Sequence, residues 1–265
     1  MSTTLMAVIA WRRKTTLAIY TLAMVGFMYL IVAVYPSLRQ VGVDFMQALP
    51  ESIRSLMGGR ELALTSVPGF LAVGYNHPLV LVLFSAFVIS SATQAAAGEI
   101  DRRTVDLILT RPVTRFRVLG SHVLFTLLGL AVLSTAVWSG TAIGVRMGFL
   151  TPAPDLQSLM LISVNLFALF FAVAGYSFLF SSLTSETGRS NALAGGLTAV
   201  FFFMKFIGDL WDKASFLKTF SIFQYYDPAG VLLKADHFIR DLGVLFLIGA
   251  VTLVSAFVIF QKRDV

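Results

Sequence analysis

Apolar residues in this chain run in long unbroken blocks. Five stretches, 17–35, 78–97, 123–145, 156–184 and 242–260, contain no Lys, Arg, Asp or Glu. Each matches the ~20 helical residues needed to cross a hydrocarbon layer of ~30 Å. In lipid such a segment can satisfy its backbone only as a helix or within a closed barrel, and these runs show no alternation of apolar and polar positions. A further run, 191–210, is apolar but carries Lys205 and Asp209 near its end, spaced i,i+4 so that they can pair on one face at an interface. The pattern predicts six transmembrane helices, over 17–35, 78–97, 120–146, 156–184, 191–210 and 242–260, in a single all-α integral membrane domain covering 1–265. An even number of crossings puts both termini on one side.

The segments between spans are unequal. The loop 36–77 contains "DFMQALPESIRSLMGG", where Phe45, Met46, Leu49, Ile53, Leu56 and Met57 follow a helical stripe interrupted at Pro50. Asp44 is placed to cap its start and Gly58 to stop it, so one or two short amphipathic helices are expected on the membrane surface. The loop 211–240 contains "SFLKTFSIFQYYDPAGVLL", too aromatic for a solvated linker and too interrupted by Asp227, Pro228 and Gly230 to cross. It is expected to form a re-entrant or interfacial hairpin, with Phe216, Phe220, Phe223, Tyr225, Tyr226 and Pro228 at membrane depth, closing a pathway on that side.

Composition sharpens the class. Hydrophobic residues are 57% of the chain and charged ones 13%, a balance far from that of a soluble domain. Cysteine is absent, which removes disulfides, thiolate metal sites and cysteine nucleophiles. The first apolar run is too long for the core of a signal peptide, and no small-residue cleavage site follows it. The net charge of +6 is all on one side: eleven bases against five acids flank the termini, the segment 98–117 and the turn near Arg189, which leaves nine of each opposite. Positive segments stay cytoplasmic, so both termini and 98–117 are expected in the cytosol, with the loops 36–77 and 211–240 outside. Topology explains the basic excess, and no nucleic-acid partner is expected.

Several chemistries leave no mark. G-x-x-x-x-G-K-[ST] is missing, so the chain has no site for hydrolysing ATP. Five of the six spans lack a mid-span carboxylate of the kind ion-coupled carriers use, and Lys205 with Asp209 fits an interfacial pair. His122, at the mouth of the third span, suits interfacial hydrogen bonding better than proton relay. H-E-x-x-H is absent and the histidines stand apart at 77, 122 and 237; "GYS" at 175–177 lacks a histidine partner at matching depth. No catalytic or metal site is expected. Gly140, Gly144 and Gly148 form a small-residue ridge on the third span, and Ala92 with Ala96 another on the second; either could pack within the chain or against another copy.

The densest charge lies in "GEIDRRTVDLILTRPVTRFRV", 98–118. Within it 104–110 can form two helical turns with Val105, Ile108 and Leu109 on one side, until Pro112 disfavours helix at Arg111. Topology accounts for the arginines, but Glu99, Asp101 and Asp106 oppose that signal, which points to a docking element. The stretch resembles the segment joining the second and third spans in type-2 permease subunits of ATP-binding-cassette (ABC) transporters. Gly98, Glu99, Thr104, Leu107, Leu109, Thr110, Arg111, Pro112, Val113, Thr114 and Arg115 carry the match. "LPESIRSLMG", "YYDPAGVLL" and the terminal "QKRDV" extend it over most of the chain; Arg103, and Ser121 with His122, depart from it.

The resemblance implies a permease subunit in the inner membrane of a prokaryote, paired with a second permease copy or homologue and with separate ATPase subunits that bind ATP and magnesium. Glu99, Asp101, Arg102, Thr104, Asp106, Arg111, Pro112 and Arg115 would form the cytosolic coupling element seated on the ATPase. "MSTTLMAVIAWRRK" would be an interfacial connecting helix ahead of the first span. The function implied is an exporter; the alternative is a permease-like subunit that transmits ATPase motion to an envelope protein without moving substrate. Cysteines introduced at Ser2, Thr110 and Val265 should react with an impermeant maleimide only after permeabilisation, and cysteines at Ser55 and Ser215 in intact cells. Labelling of Thr110 from outside would invert the orientation.

Overall fold

The computed structural model describes residues 3–48, 66–101 and 114–263. Among these no strand occurs, and six helical runs are long and apolar enough to cross a membrane: Met6–Val41, Val67–Thr93, Arg115–Arg146, Leu156–Leu183, Thr187–Leu210 and Phe238–Lys262. The six-span, all-helical reading therefore holds, with two changes in where helices begin and end.

The first change is α1 (Thr3–Ala48), one helix of 46 residues. The separate connecting helix expected at the N-terminus does not form. Residues 3–14 run straight into the first span, since neither Gly nor Pro stands before Gly26 to interrupt them. Pro36 removes one N–H from the ladder, yet α1 continues past it. Tyr35, buried, packs on Phe70 with ring centres 4.8 Å apart, and Arg39 Nη1 donates to the Thr151 carbonyl at 3.2 Å, so neighbours hold this continuation. Asp44, expected to cap a new helix, thus lies inside the last turns of α1; Gly58 is outside the described residues.

The second change concerns the second span, expected over 78–97. It is built from α2 (Val67–Tyr75) and α3 (Pro78–Thr93), broken at Asn76 and His77. His77 caps α3 by accepting the Leu79 N–H on Nδ1 at 3.2 Å, with Pro78 at the first helical position where its missing N–H costs nothing. The helix ends at Thr93, four residues early, and resumes after a short turn as α4 (Ala97–Asp101). Ser181 repairs that turn. Its Oγ accepts the Ala96 and Ala97 N–H groups and donates to the Thr93 carbonyl, each at 3.1 Å.

The remaining spans follow their patterns closely. In α5 (Arg115–Arg146) Thr114 caps the start, and Gly148 just past the end adopts the left-handed backbone (φ 80°) that terminates helices. Asp155 caps α6 (Leu156–Leu183), accepting from the Gln157 and Ser158 N–H groups; these bonds, that of Gln157 first, hold its carboxyl below the usual range. α7 (Thr187–Leu210) follows after a tight turn, and α9 (Phe238–Lys262) closes the bundle. The 211–237 segment between them holds two 3-10 segments, Asp212–Phe220 and Ile222–Tyr225, and a short helix, α8 (Pro228–Leu232).

α6 is the central post: 72% of its most apolar window is buried, against 17% for α1, α7 and α9. α9 lies parallel to it, with Gly175 facing Gly249 and Thr252, and Phe167 beside Phe246. α1 lies parallel to α5. Gly140 and Gly144 admit Val25, Met28 and Val32, so this small-residue ridge is spent inside the chain, whereas Gly148 has nothing near it. A Cβ at Gly140 would meet the Val25 carbonyl at 2.5 Å, and one at Gly144 would run into the Val32 side chain. Gly140→Ala or Gly144→Ala should therefore lower the thermal unfolding midpoint in detergent, with ~1–3 kcal/mol of overpacking. Gly26→Ala, with open space around it, should leave the midpoint unchanged.

Candidate functional site

Two constellations sit at opposite ends of the bundle, and the charged stretch lies at one of them. Arg102, Thr104, Asp106, Arg111 and Pro112 fall outside the described residues, and Glu99 is described only as part of the α4 backbone. The two arms that lead in and out are defined. On the incoming arm, Asp101 Oδ2 accepts the Thr187 N–H at 3.4 Å, at the first residue of α7, where Glu186 offers no side-chain cap. On the outgoing arm, Arg115 donates to the Arg263 carbonyl.

Arg263 in turn closes the end of α6. Its Nη1 donates to the Ser182 and Thr184 carbonyls at 3.0 and 2.8 Å, and Nη2 to Ser185 Oγ at 2.6 Å. A cation there satisfies carbonyls that have no helical partner and opposes the negative end of the helix dipole. Both arms of the charged stretch thus meet at the α6–α7 turn. Nearby, Thr93 Oγ1 donates to Asn191 Oδ1 at 2.7 Å, joining α3 to α7, and Arg13 binds Ser91 Oγ and the Ser90 carbonyl at 2.7 and 3.1 Å.

At the far end, the 211–237 segment folds back into the bundle as a hairpin. Asn165, 1% exposed in the first half of α6, donates from Nδ2 to the Tyr225 carbonyl at 3.0 Å and accepts the Asp227 N–H on Oδ1 at 3.2 Å. This contact lies ~13 Å along α6 from its start. Ser221 Oγ donates to the Phe201 carbonyl of α7 at 2.6 Å. The Tyr226 hydroxyl donates to the Tyr75 carbonyl at 3.1 Å, satisfying a group left over at the α2–α3 break, and the Tyr75 hydroxyl donates to Thr141 Oγ1 at 3.1 Å. Asp227 caps α8 through Gly230 N–H at 3.0 Å and meets His237 Nε2 at 3.2 Å. His237 lies 3.8 Å from buried Asp241, which Arg240 grips at 2.8 Å.

Of the aromatic set expected in this hairpin, Phe223 and Tyr226 are buried, Pro228 is buried and Tyr225 half-buried. Phe216 and Phe220 face outward, exposed, on the first 3-10 segment. Lys205 and Asp209 pair at 2.7 Å as their spacing suggested, and Lys218 joins from the hairpin at 3.0 Å. Such partly exposed pairs contribute ~0–1 kcal/mol each.

Between α3 and α7 lies a cavity of about 420 Å³, lined by Leu81, Ser85, Ile89, Thr198, Phe202 and Phe223 among others. Its walls are almost wholly apolar, and the buried edge of the hairpin, Phe223, forms one of them. Sequence reasoning missed Asn165 and Arg263. The first had a signal, an amide in the interior of a largely apolar 28-residue helix, where a buried polar group needs partners; the second resembled any basic flank of a last span.

Six bundled apolar helices, each long enough to cross a membrane, define a multi-pass membrane protein. Over residues 5–261 the chain matches the family described as the multidrug efflux system permease Rv1217c, C-terminal domain, and it belongs to that family. No curated protein and no solved structure matches it. Arg263→Ala should free the α6 carbonyls and lower stability by ~1–2 kcal/mol, as for other charge-assisted bonds at helix ends, seen as an earlier unfolding midpoint. Lys262→Ala, exposed beside it, is the control.

Proposed function

We propose that this chain is the transmembrane subunit of an ATP-driven exporter of the type-2 ABC class. Separate ATPase subunits bind ATP and magnesium and seat the segment 98–117 in the cytosol, and a second permease copy or homologue completes the pathway in the inner membrane. The observation that carries this reading is the convergence of both arms of that segment on the α6–α7 turn. A push on 102–113 reaches the first turn of α7 through Asp101 and the end of α6 through Arg115 and Arg263. α6 is locked in the core, whereas α7 is largely exposed and walls the cavity, so α7 is the helix free to respond.

The transported compound is then an apolar molecule of drug size, since a cavity of about 420 Å³ with few polar groups selects little else. The hairpin bearing Phe223 and Tyr226 acts as the outer gate. The name of the family, a multidrug efflux system permease, agrees with the export of drug-sized compounds.

The test is reconstitution with the ATPase in proteoliposomes and measurement of ATP-dependent loss of an apolar fluorescent compound. A stable complex with an envelope protein and no flux would favour force transmission without transport. In the same preparations Glu99→Ala with Asp106→Ala should leave membrane insertion intact but weaken ATPase association or uncouple hydrolysis. Truncating one partner of a desolvated interface pair costs ~2–5 kcal/mol. Normal co-purification and normal substrate-stimulated hydrolysis in the double variant would remove the coupling role.

A further inference from the structure

The hairpin is attached to helices of very different burial. Ser221 ties it to α7, the Tyr226 hydroxyl ties it to the end of α2, and Asp227 with His237 ties it to the first turn of α9. Asn165 ties it to α6, the most buried span of the bundle. A movement of α7 carries Ser221 with it, while the backbone around Tyr226 stays bonded to the most buried helix of the bundle.

The chemistry of that bond suits the task. Tyr226 has an extended backbone (φ −108°, ψ 98°), so the Tyr225 carbonyl and the Asp227 N–H that flank it can be met together by one planar donor–acceptor group. A carboxamide supplies the pair in the manner of a neighbouring strand. Among the described residues both bonds of the Asn165 side chain go to the hairpin and none to its own helix. A Leu at this site would pack without needing partners; an amide here costs desolvation and returns it only while the hairpin is seated.

We infer that Asn165 is the hinge post of the hairpin, a positioning residue whose paired bonds to the Tyr225 carbonyl and the Asp227 N–H set how readily the segment lifts from the bundle. This rests on the reading of the hairpin as the outer gate. Opening exchanges these two bonds for water, and their strength sets the balance between closed and open.

The test uses the absence of native cysteine and places a single reporter at Ile222, 4% exposed in the hairpin. The full complex with its ATPase, without nucleotide, is treated from outside with an impermeant maleimide. Asn165→Leu should raise the labelling rate at least about tenfold over the parent reporter, because two buried bonds no longer hold the closed state. Asn165→Asp separates positioning from general damage. Ionised, the side chain still accepts the Asp227 N–H but repels the Tyr225 carbonyl; protonated, it regains the donor.

The ratio of Asn165→Asp to parent labelling should therefore exceed one in mildly alkaline buffer and fall back toward one in mildly acidic buffer, as the carboxyl takes its proton and regains a donor. The parent measured at each pH cancels the titration of the thiol and of Asp227, His237 and Asp241, which share the pocket with Asn165, and of Arg240 beside them. Equal labelling of parent and both variants from outside would overturn the hinge and leave the gate standing. An Asn165→Asp ratio that is raised but flat with pH would overturn it too. Labelling reached only from the cytosolic side would remove the gate reading itself.

Discussion

A backbone polar group inside an apolar bundle has no water to turn to, and the rest of this structure depends on how that constraint is met. Continuous helix meets it for most of α5, α6 and α9. At four of the described interruptions a side chain stands in: Ser181 across the α3–α4 turn, Tyr226 at the α2–α3 break, Arg263 at the end of α6 and Asn165 along the hairpin. Each of these bonds joins segments far apart in sequence. The repairs of local defects are therefore also the ties between elements that a transporter must move.

Those ties are not evenly spread. α6 and α9 meet through Gly175 and Gly249, and α1 and α5 through Gly140 and Gly144, close approaches that leave little room for sliding. Among the described residues α7 has no such glycine seam against another span; its Gly208 faces Lys218 and Ala214 of the first 3-10 segment. It is held by a backbone cap from Asp101, by Thr93 on Asn191, by Tyr176 on Thr198 and by Ser221 on the Phe201 carbonyl, with Lys205, Asp209 and Lys218 at its far end. Directional bonds of this kind can be traded one at a time for others, while interlocked glycine seams are given up only as a whole.

The spans were legible because a bilayer imposes a length and a hydropathy that few other constraints mimic, and the hairpin was legible because Asp227, Pro228 and Gly230 break an aromatic run. What escaped was decided by tertiary partners. Pro36 reads as the end of a helix, yet Tyr35 on Phe70 and Arg39 on Thr151 carry α1 beyond it. "YNHP" reads as an ordinary loop before a span, yet α2 and α3 form one apolar run on either side of it. Asn165 and Arg263 each act on a segment at least 60 residues away, so no local pattern could reveal their partners.

The length of α1 has a mechanical consequence. At 1.5 Å per residue its 46 residues make a rod of ~69 Å, more than twice the thickness of the hydrocarbon it crosses. A rod of that length amplifies angle into distance: tilted by ~5° about its middle, it sweeps each tip sideways by ~3 Å in opposite directions. With Gly140 and Gly144 binding its midsection to α5, the helix can report a small rotation of the bundle to both aqueous compartments at once, with no change in its own shape.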